Sequence, residues 1–123
     1  TAKEKMERIV KLLDRKKASN IQVLKVSDLT ILADYFIICS APSTTQVKAL
    51  ADSVEEEMNL AKEPLLKKEG KQGLNWILMD YGDVICHIFY QETRDFYALE
   101  KLWSDAQEIE LSEILGSAVS DEE

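Results

Sequence analysis

Residues 76–89, WILMDYGDVICHIF, decide the fold of this 123-residue chain. Two apolar runs flank the turn Tyr81-Gly82-Asp83, in which glycine supplies the positive φ that tight turns need. We therefore predict a hairpin with strands over residues 74–80 and 84–90. Because both faces of these strands are largely apolar, we expect them to be central in a sheet or covered by helices.

A second aromatic segment, RDFYALEKLW at residues 94–103, follows the hairpin. It predicts a helix that packs Phe96, Leu99 and Trp103 on one side. The two segments together hold both tryptophans and the only histidine of the chain. Side chains of this kind anchor cores and interfaces, so this region is expected to pack and to be recognised rather than to react.

Two further helices and two further strands are predicted before the hairpin. Apolar side chains at i, i+3, i+4 and i+7 predict an amphipathic first helix, marked by Met6, Ile9, Val10 and Leu13. Strands are predicted at residues 21–26 and 35–39, and the second should be buried on both faces. Ser43 and Gln46 have the spacing of a capping box, and the helix that follows buries Val47, Leu50, Ala51, Val54 and Met58. A loop is predicted over residues 64–73.

This order of elements predicts an α/β fold, with one domain built on a mixed β-sheet covered by helices. The length suits a single domain. We assign residues 1–112 to that domain and residues 113–123 to an acidic tail that we expect to be disordered. No apolar run is long enough to span a bilayer.

The net charge of −8 is unevenly distributed along the chain. Residues 104–123 hold seven acidic residues and no lysine or arginine, which leaves 15 basic and 16 acidic residues in residues 1–103. Binding to a nucleic-acid backbone depends on lysine and arginine, so direct RNA or DNA binding is not expected. An acidic chain would suit a basic protein partner.

Candidate catalytic groups are few. Cys86 and His87 are neighbours, but adjacent strand residues point to opposite faces and cannot form a dyad. Asp80 and Asp83 flank a turn and lack a third ligand, so a metal site is weakly supported. No phosphate-binding glycine motif occurs, and no cofactor is expected. Cys39 and Cys86 lack the spacing of a redox or zinc motif and are expected to be buried free thiols.

A set of ordered motifs resembles the ribosomal silencing factors of the Iojap family over about residues 3–111. The motifs are Ala33-Asp34-Tyr35-Phe36, Ser43-x-x-Gln46-Val47, Glu69-Gly70, Trp76-x-x-x-Asp80-Tyr81-Gly82-Asp83, His87-x-Phe89 and Arg94-x-x-Tyr97-x-Leu99-Glu100-x-Leu102-Trp103. One motif alone would be weak evidence, whereas the ordered set is specific. Ala41-Pro42 departs from the family, which more often has a glycine-containing turn there.

The resemblance implies a nucleotidyltransferase-like topology without catalytic residues, and hence a protein that is not an enzyme. It also implies binding to the fourteenth protein of the large ribosomal subunit, which blocks joining of the subunits under starvation, and a possible homodimer. We predict the contact surface, or its direct support, at the aromatic, histidine and aspartate side chains of this region: Trp76, Asp80, Tyr81, His87, Tyr97 and Trp103. Tyr81 and Tyr97 are expected to be the hardest to bury.

Two alternatives remain open at this point. One is a factor for assembly of the large subunit, the role that the resemblance implies for organellar relatives. The other is a nucleotidyltransferase-like enzyme, which would need a carboxylate pair on one strand face that Asp80 and Asp83 do not provide. No membrane association is expected. We expect a bacterial cytoplasmic protein, and because the chain begins at Thr1 without an initiator methionine, an organelle stays possible.

Overall fold

The computed structural model describes residues 1–70, 75–93 and 105–121. Along the chain, these residues form α1 (Ala2–Arg15), β1 (Ser19–Lys25), β2 (Tyr35–Ala41), α2 (Thr44–Leu60), β3 (Lys67–Gly70), β4 (Trp76–Asp80), β5 (Val84–Tyr90), a 3-10 helix (Gln91–Thr93), β6 (Gln107–Ile109) and α3 (Leu111–Asp121). The helix predicted at residues 94–103 lies outside the described residues. None of the described helices combines the length and the apolarity that crossing a bilayer requires.

A side chain caps the first turn of both long helices, and the sequence predicts the cap at α2. The Thr1 hydroxyl accepts a hydrogen bond from the Glu4 amide, and the Glu4 side chain returns to the Thr1 backbone, which completes a capping box at α1. At α2 the Ser43 hydroxyl accepts from the Gln46 amide at 3.2 Å. The predicted apolar faces of both helices are buried, which confirms them as the helices that cover the sheet.

The six strands form one mixed sheet in the order β3-β4-β5-β2-β1-β6. β2 and β5 pair in parallel at its centre, and the other neighbouring strands pair antiparallel. The predicted hairpin is β4–β5, with Trp76 opposite Phe89 and Leu78 opposite His87. The predicted α/β class and mixed sheet are therefore confirmed.

Two edge strands are additional to the prediction. β3 occupies part of the predicted loop, and all four of its residues are exposed. β6 has three residues, two of them exposed. Edge strands of this kind bury few side chains and carry no alternation of apolar and polar residues, so their sequences contain little strand signal.

The sheet has two apolar faces. One packs against α1 and α2 and includes Ile37, Cys39, Cys86 and Ile88. The opposite face is formed by Leu24, Val26, Ala33, Phe36, Ile38 and Phe89, with Trp76, Ile85 and Ala106 partly buried against them. Burial on both faces follows from the continuous apolar runs of β2 and β5.

The C-terminal helix α3 differs from the expected disordered tail. It extends over residues that we assigned to the tail from position 113, and Ile114 is buried in the core beside α1. The apolar side chain of Ile114 packs the first turns of α3 against the core. The boundary between a domain of residues 1–112 and a tail of residues 113–123 stays a prediction.

Candidate partner-binding surface

The turn between β4 and β5 is fixed by local hydrogen bonds. The Asp80 carboxylate (Oδ1) accepts a bond from the Gly82 amide at 2.7 Å, and the Tyr81 amide donates to the Val84 carbonyl at 2.9 Å. Gly82 has a φ of 94°, which a side chain would disfavour. The tip of the hairpin therefore has one preferred shape.

Lys5 of α1 fastens this tip to the helix layer. Its Nζ donates to the Tyr81 carbonyl at 3.1 Å and to Asp83 Oδ1 at 2.9 Å. The Asp80 and Asp83 carboxylates thus both have structural partners. Within the described part of the chain, no cluster of three or more histidine, cysteine, aspartate or glutamate side chains could hold a metal ion.

His87 and Trp76 form a hydrogen-bonded pair on the face opposite α1 and α2. Trp76 Nε1–H donates to His87 Nδ1 at 3.1 Å, and the two ring centroids are 5.7 Å apart. Phe36 meets the imidazole edge-on at 5.3 Å, and Phe89 stacks on Trp76 at 5.2 Å. Burial lowers the pKa of His87 from 6.5 to about 4, so the ring is neutral at pH 7.

Tyr81 is placed differently from our expectation. Although it lies in a turn, its side chain is only 2% exposed and packs in the core that α1 and α2 cover. Its hydroxyl has no hydrogen-bond partner among the described residues, and burial raises its pKa. Tyr81 therefore packs under the hairpin in the core and does not present its side chain to a partner.

Cys86 and His87 do point to opposite faces. Cys86 lies in the helix-covered core, where burial raises the pKa of its thiol, whereas His87 belongs to the aromatic cluster on the other side. A cysteine–histidine dyad is thereby excluded. Cys39 and Cys86 are both buried and free, as expected.

The predicted contact residues do not form one continuous surface in the described structure. Trp76 and Asp80 are partly buried, His87 is buried beside Trp76, and Tyr81 lies on the other side of the sheet. Tyr97 and Trp103 fall outside the described residues. Which of the six contacts a partner stays a prediction.

One exposed apolar feature was not singled out from the sequence. The connection between β1 and β2 carries Leu29, Ile31 and Leu32, all exposed to solvent. Three large apolar residues within four positions of a loop are the signal that would have identified it.

Comparison with known proteins places this architecture in a defined group. The sequence profile of the family described as "Ribosomal silencing factor during starvation" matches residues 1–123. The chain is 34% identical over 112 residues to Ribosomal silencing factor RsfS of Halalkalibacterium halodurans, covering 91% of this chain and 96% of the relative. It is 39% identical over 93 residues to the RsfS of Bacillus subtilis, covering 76% and 79%.

Structural and organellar relatives agree with that match. A crystal structure of a Chromobacterium violaceum protein superposes with a TM-score of 0.81 at 34% identity, covering 85% of this chain and 87% of that one. A mouse relative, "Mitochondrial assembly of ribosomal large subunit protein 1", is 33% identical over 106 residues. That stretch covers 84% of this chain and 46% of the mouse protein.

Proposed function

This chain belongs to the Iojap family of ribosomal silencing factors, and from that membership we propose that it binds the fourteenth protein of the large ribosomal subunit and thereby blocks subunit joining. The family acts in translation regulation during starvation and is not enzymatic. The observation that carries the proposal is the family match over residues 1–123. The enzymatic alternative has no support in this family.

The charge of the chain supports a basic protein partner. Its net charge is −8, and residues 105–121 alone contain five acidic residues and no lysine or arginine. Attraction between an acidic factor and a basic ribosomal protein raises the association rate and weakens with salt. Steric exclusion needs no reaction, only a stable contact of about 800 Å² per partner.

The hairpin end of the sheet is the part of the described structure best suited to such a contact. Lys5, Asp80 and Gly82 hold the turn in one shape, so the turn loses little conformational freedom on binding. Trp76 and Asp80 are partly exposed on the same hairpin, and among the described members of the predicted set they are the two that a partner can reach directly.

A second candidate function is assembly of the large subunit. It is favoured by the name of the mouse relative, a protein of mitochondrial large-subunit assembly. The two functions make different predictions. A silencing factor acts on finished subunits, whereas an assembly factor alters the amount of large-subunit precursors when it is depleted.

Two further proposals, on location and on oligomeric state, rest on the same membership. We propose a bacterial cytoplasmic location, since the RsfS relatives matched over 96% and 79% of their own length are bacterial. A homodimer is also proposed, and sedimentation equilibrium across a hundredfold range of concentration would detect it.

Subunit joining on sucrose gradients tests the central proposal. Purified Bacillus subtilis subunits, mixed with this protein before magnesium is raised, should stay apart, and an excess of the isolated fourteenth protein should restore joining. Another basic large-subunit protein of similar charge serves as the control competitor. Normal joining in the presence of saturating protein would refute the silencing proposal, and equal relief by both competitors would refute the choice of partner.

A further inference from the structure

The connection between β1 and β2 displays three large apolar side chains to solvent. Leu29 is 45% exposed, Leu32 is 73% exposed and Ile31 is fully exposed. Single exposed apolar residues are common on protein surfaces, but a cluster of them in one short loop marks an interaction site. A connection that served only to join two strands would be expected to carry polar residues here.

The backbone of this loop is held by hydrogen bonds, which keep the three apolar side chains exposed. The Val26 carbonyl accepts from the amides of Leu29 and Thr30 at 2.9 and 3.0 Å. The Thr30 hydroxyl accepts from the Leu32 amide at 3.1 Å. Val26 and Ala33 are buried at the two ends of the loop. A loop already held in shape loses little conformational freedom when a partner covers it.

The loop lies beside the hairpin tip and carries acidic neighbours. The Asp34 amide donates to the Asp83 carbonyl at 2.7 Å, which joins the loop to the β4–β5 turn. Asp28 is exposed and Asp34 is partly exposed, and neither forms a salt bridge within the described ranges. The apolar side chains therefore have two carboxylates as neighbours in the loop, and no lysine or arginine of the described residues forms a salt bridge with either one.

We infer that Leu29, Ile31 and Leu32 form the anchor by which this protein docks on its ribosomal partner, in an apolar recess edged by lysine or arginine side chains. This inference rests on the proposed function and adds the docking element to it. The apolar side chains supply the buried centre of the contact, and Asp28 and Asp34 supply a polar rim that faces the partner's cations.

The test measures binding to purified large ribosomal subunits by co-sedimentation. The double variant Ile31→Ser/Leu32→Ser should raise Kd about 100-fold, since each lost apolar contact is worth about tenfold. Leu60→Ser is the matched control, because Leu60 is 76% exposed but lies on α2; it should bind like the wild type.

Asp28→Lys should slow association and flatten its salt dependence. All three variants should keep the wild-type unfolding midpoint, since the altered side chains are exposed.

The outcomes separate this inference from the function on which it rests. If the wild type does not bind large subunits, the proposed function fails. If the wild type binds and the double variant binds equally well, the function stands and the docking element is wrong. A double variant that becomes monomeric while its subunit affinity is unchanged would show that this loop contacts a second copy of the chain, which would also overturn the inference.

Discussion

Acidification between pH 6.5 and 4 is expected to destabilise this fold through His87, the only histidine of the chain. The ring is 5% exposed, and its Nδ1 accepts a hydrogen bond from Trp76 Nε1–H. Protonation would place a charge in an apolar cluster and turn this acceptor into a donor. The folded state therefore holds the neutral form.

The size of the effect follows from the pKa of His87. Burial lowers this pKa from 6.5 to about 4, and the unfolded chain should titrate near 6.5. Between these pH values the unfolded state binds more protons, so the free energy of unfolding falls as pH falls. The full contribution, present above pH 6.5 and lost below pH 4, is about 3 kcal/mol.

Urea unfolding of the wild type and of His87→Phe from pH 7 to pH 4 isolates this effect. Carboxylates titrate in both proteins, so only the difference between the two free energies reports His87. Phenylalanine suits the surrounding rings of Phe36, Trp76 and Phe89. It cannot accept the hydrogen bond from Trp76, so the variant is expected to have a lower free energy of unfolding than the wild type at pH 7. Relative to the wild type, the free energy of unfolding of the variant should rise by about 3 kcal/mol between pH 7 and pH 4.

Proton NMR gives an independent readout, because a single histidine gives a single Cε1 proton signal to assign. A Cε1 proton that titrates near pH 6.5 in the folded protein would refute the reasoning. Parallel stability curves for the wild type and His87→Phe would refute it equally.

Three further predictions concern stability and reactivity. Gly82→Ala should lower the free energy of unfolding by about 1–2 kcal/mol in urea titrations, because φ at this position is 94°; unchanged stability would argue against this turn. Ser43→Ala should cost about 1 kcal/mol through loss of the α2 cap, while Ser43→Asp should retain most of the stability. Both cysteines should react with a thiol reagent only after denaturation, since Cys39 and Cys86 are buried; fast labelling of the native protein would contradict this.

The elements predicted well from sequence are those with a strong local signal. The run Tyr35–Cys39 is apolar at every position, and Ser43 caps the helix that follows, so β2 and α2 were predictable to within a few residues. β3 was not predictable, because Lys67 and Lys68 give no apolar alternation and the strand exists only by pairing with β4.

The candidate site was less predictable, since it depends on which way side chains point in three dimensions. Tyr81 lies in a turn and appears exposed by that criterion, yet its ring enters the core beneath α1 and α2. The exposure of Ile31 likewise depends on Thr30 and Val26, whose hydrogen bonds turn the loop outward. Neither orientation is encoded in apolar periodicity.

The parallel pairing of β2 with β5 has a consequence for biosynthesis. Tyr35 pairs with Val84, so the centre of the sheet joins segments 49 residues apart. Such long-range pairing is slow to form, and the unpaired edge of β2 is prone to aggregation until β5 arrives. A nascent chain that stops before Val84 would contain α1, β2 and α2 but lack β5, so the hydrophobic edge of β2 would stay exposed. We expect such truncated products to depend on chaperones.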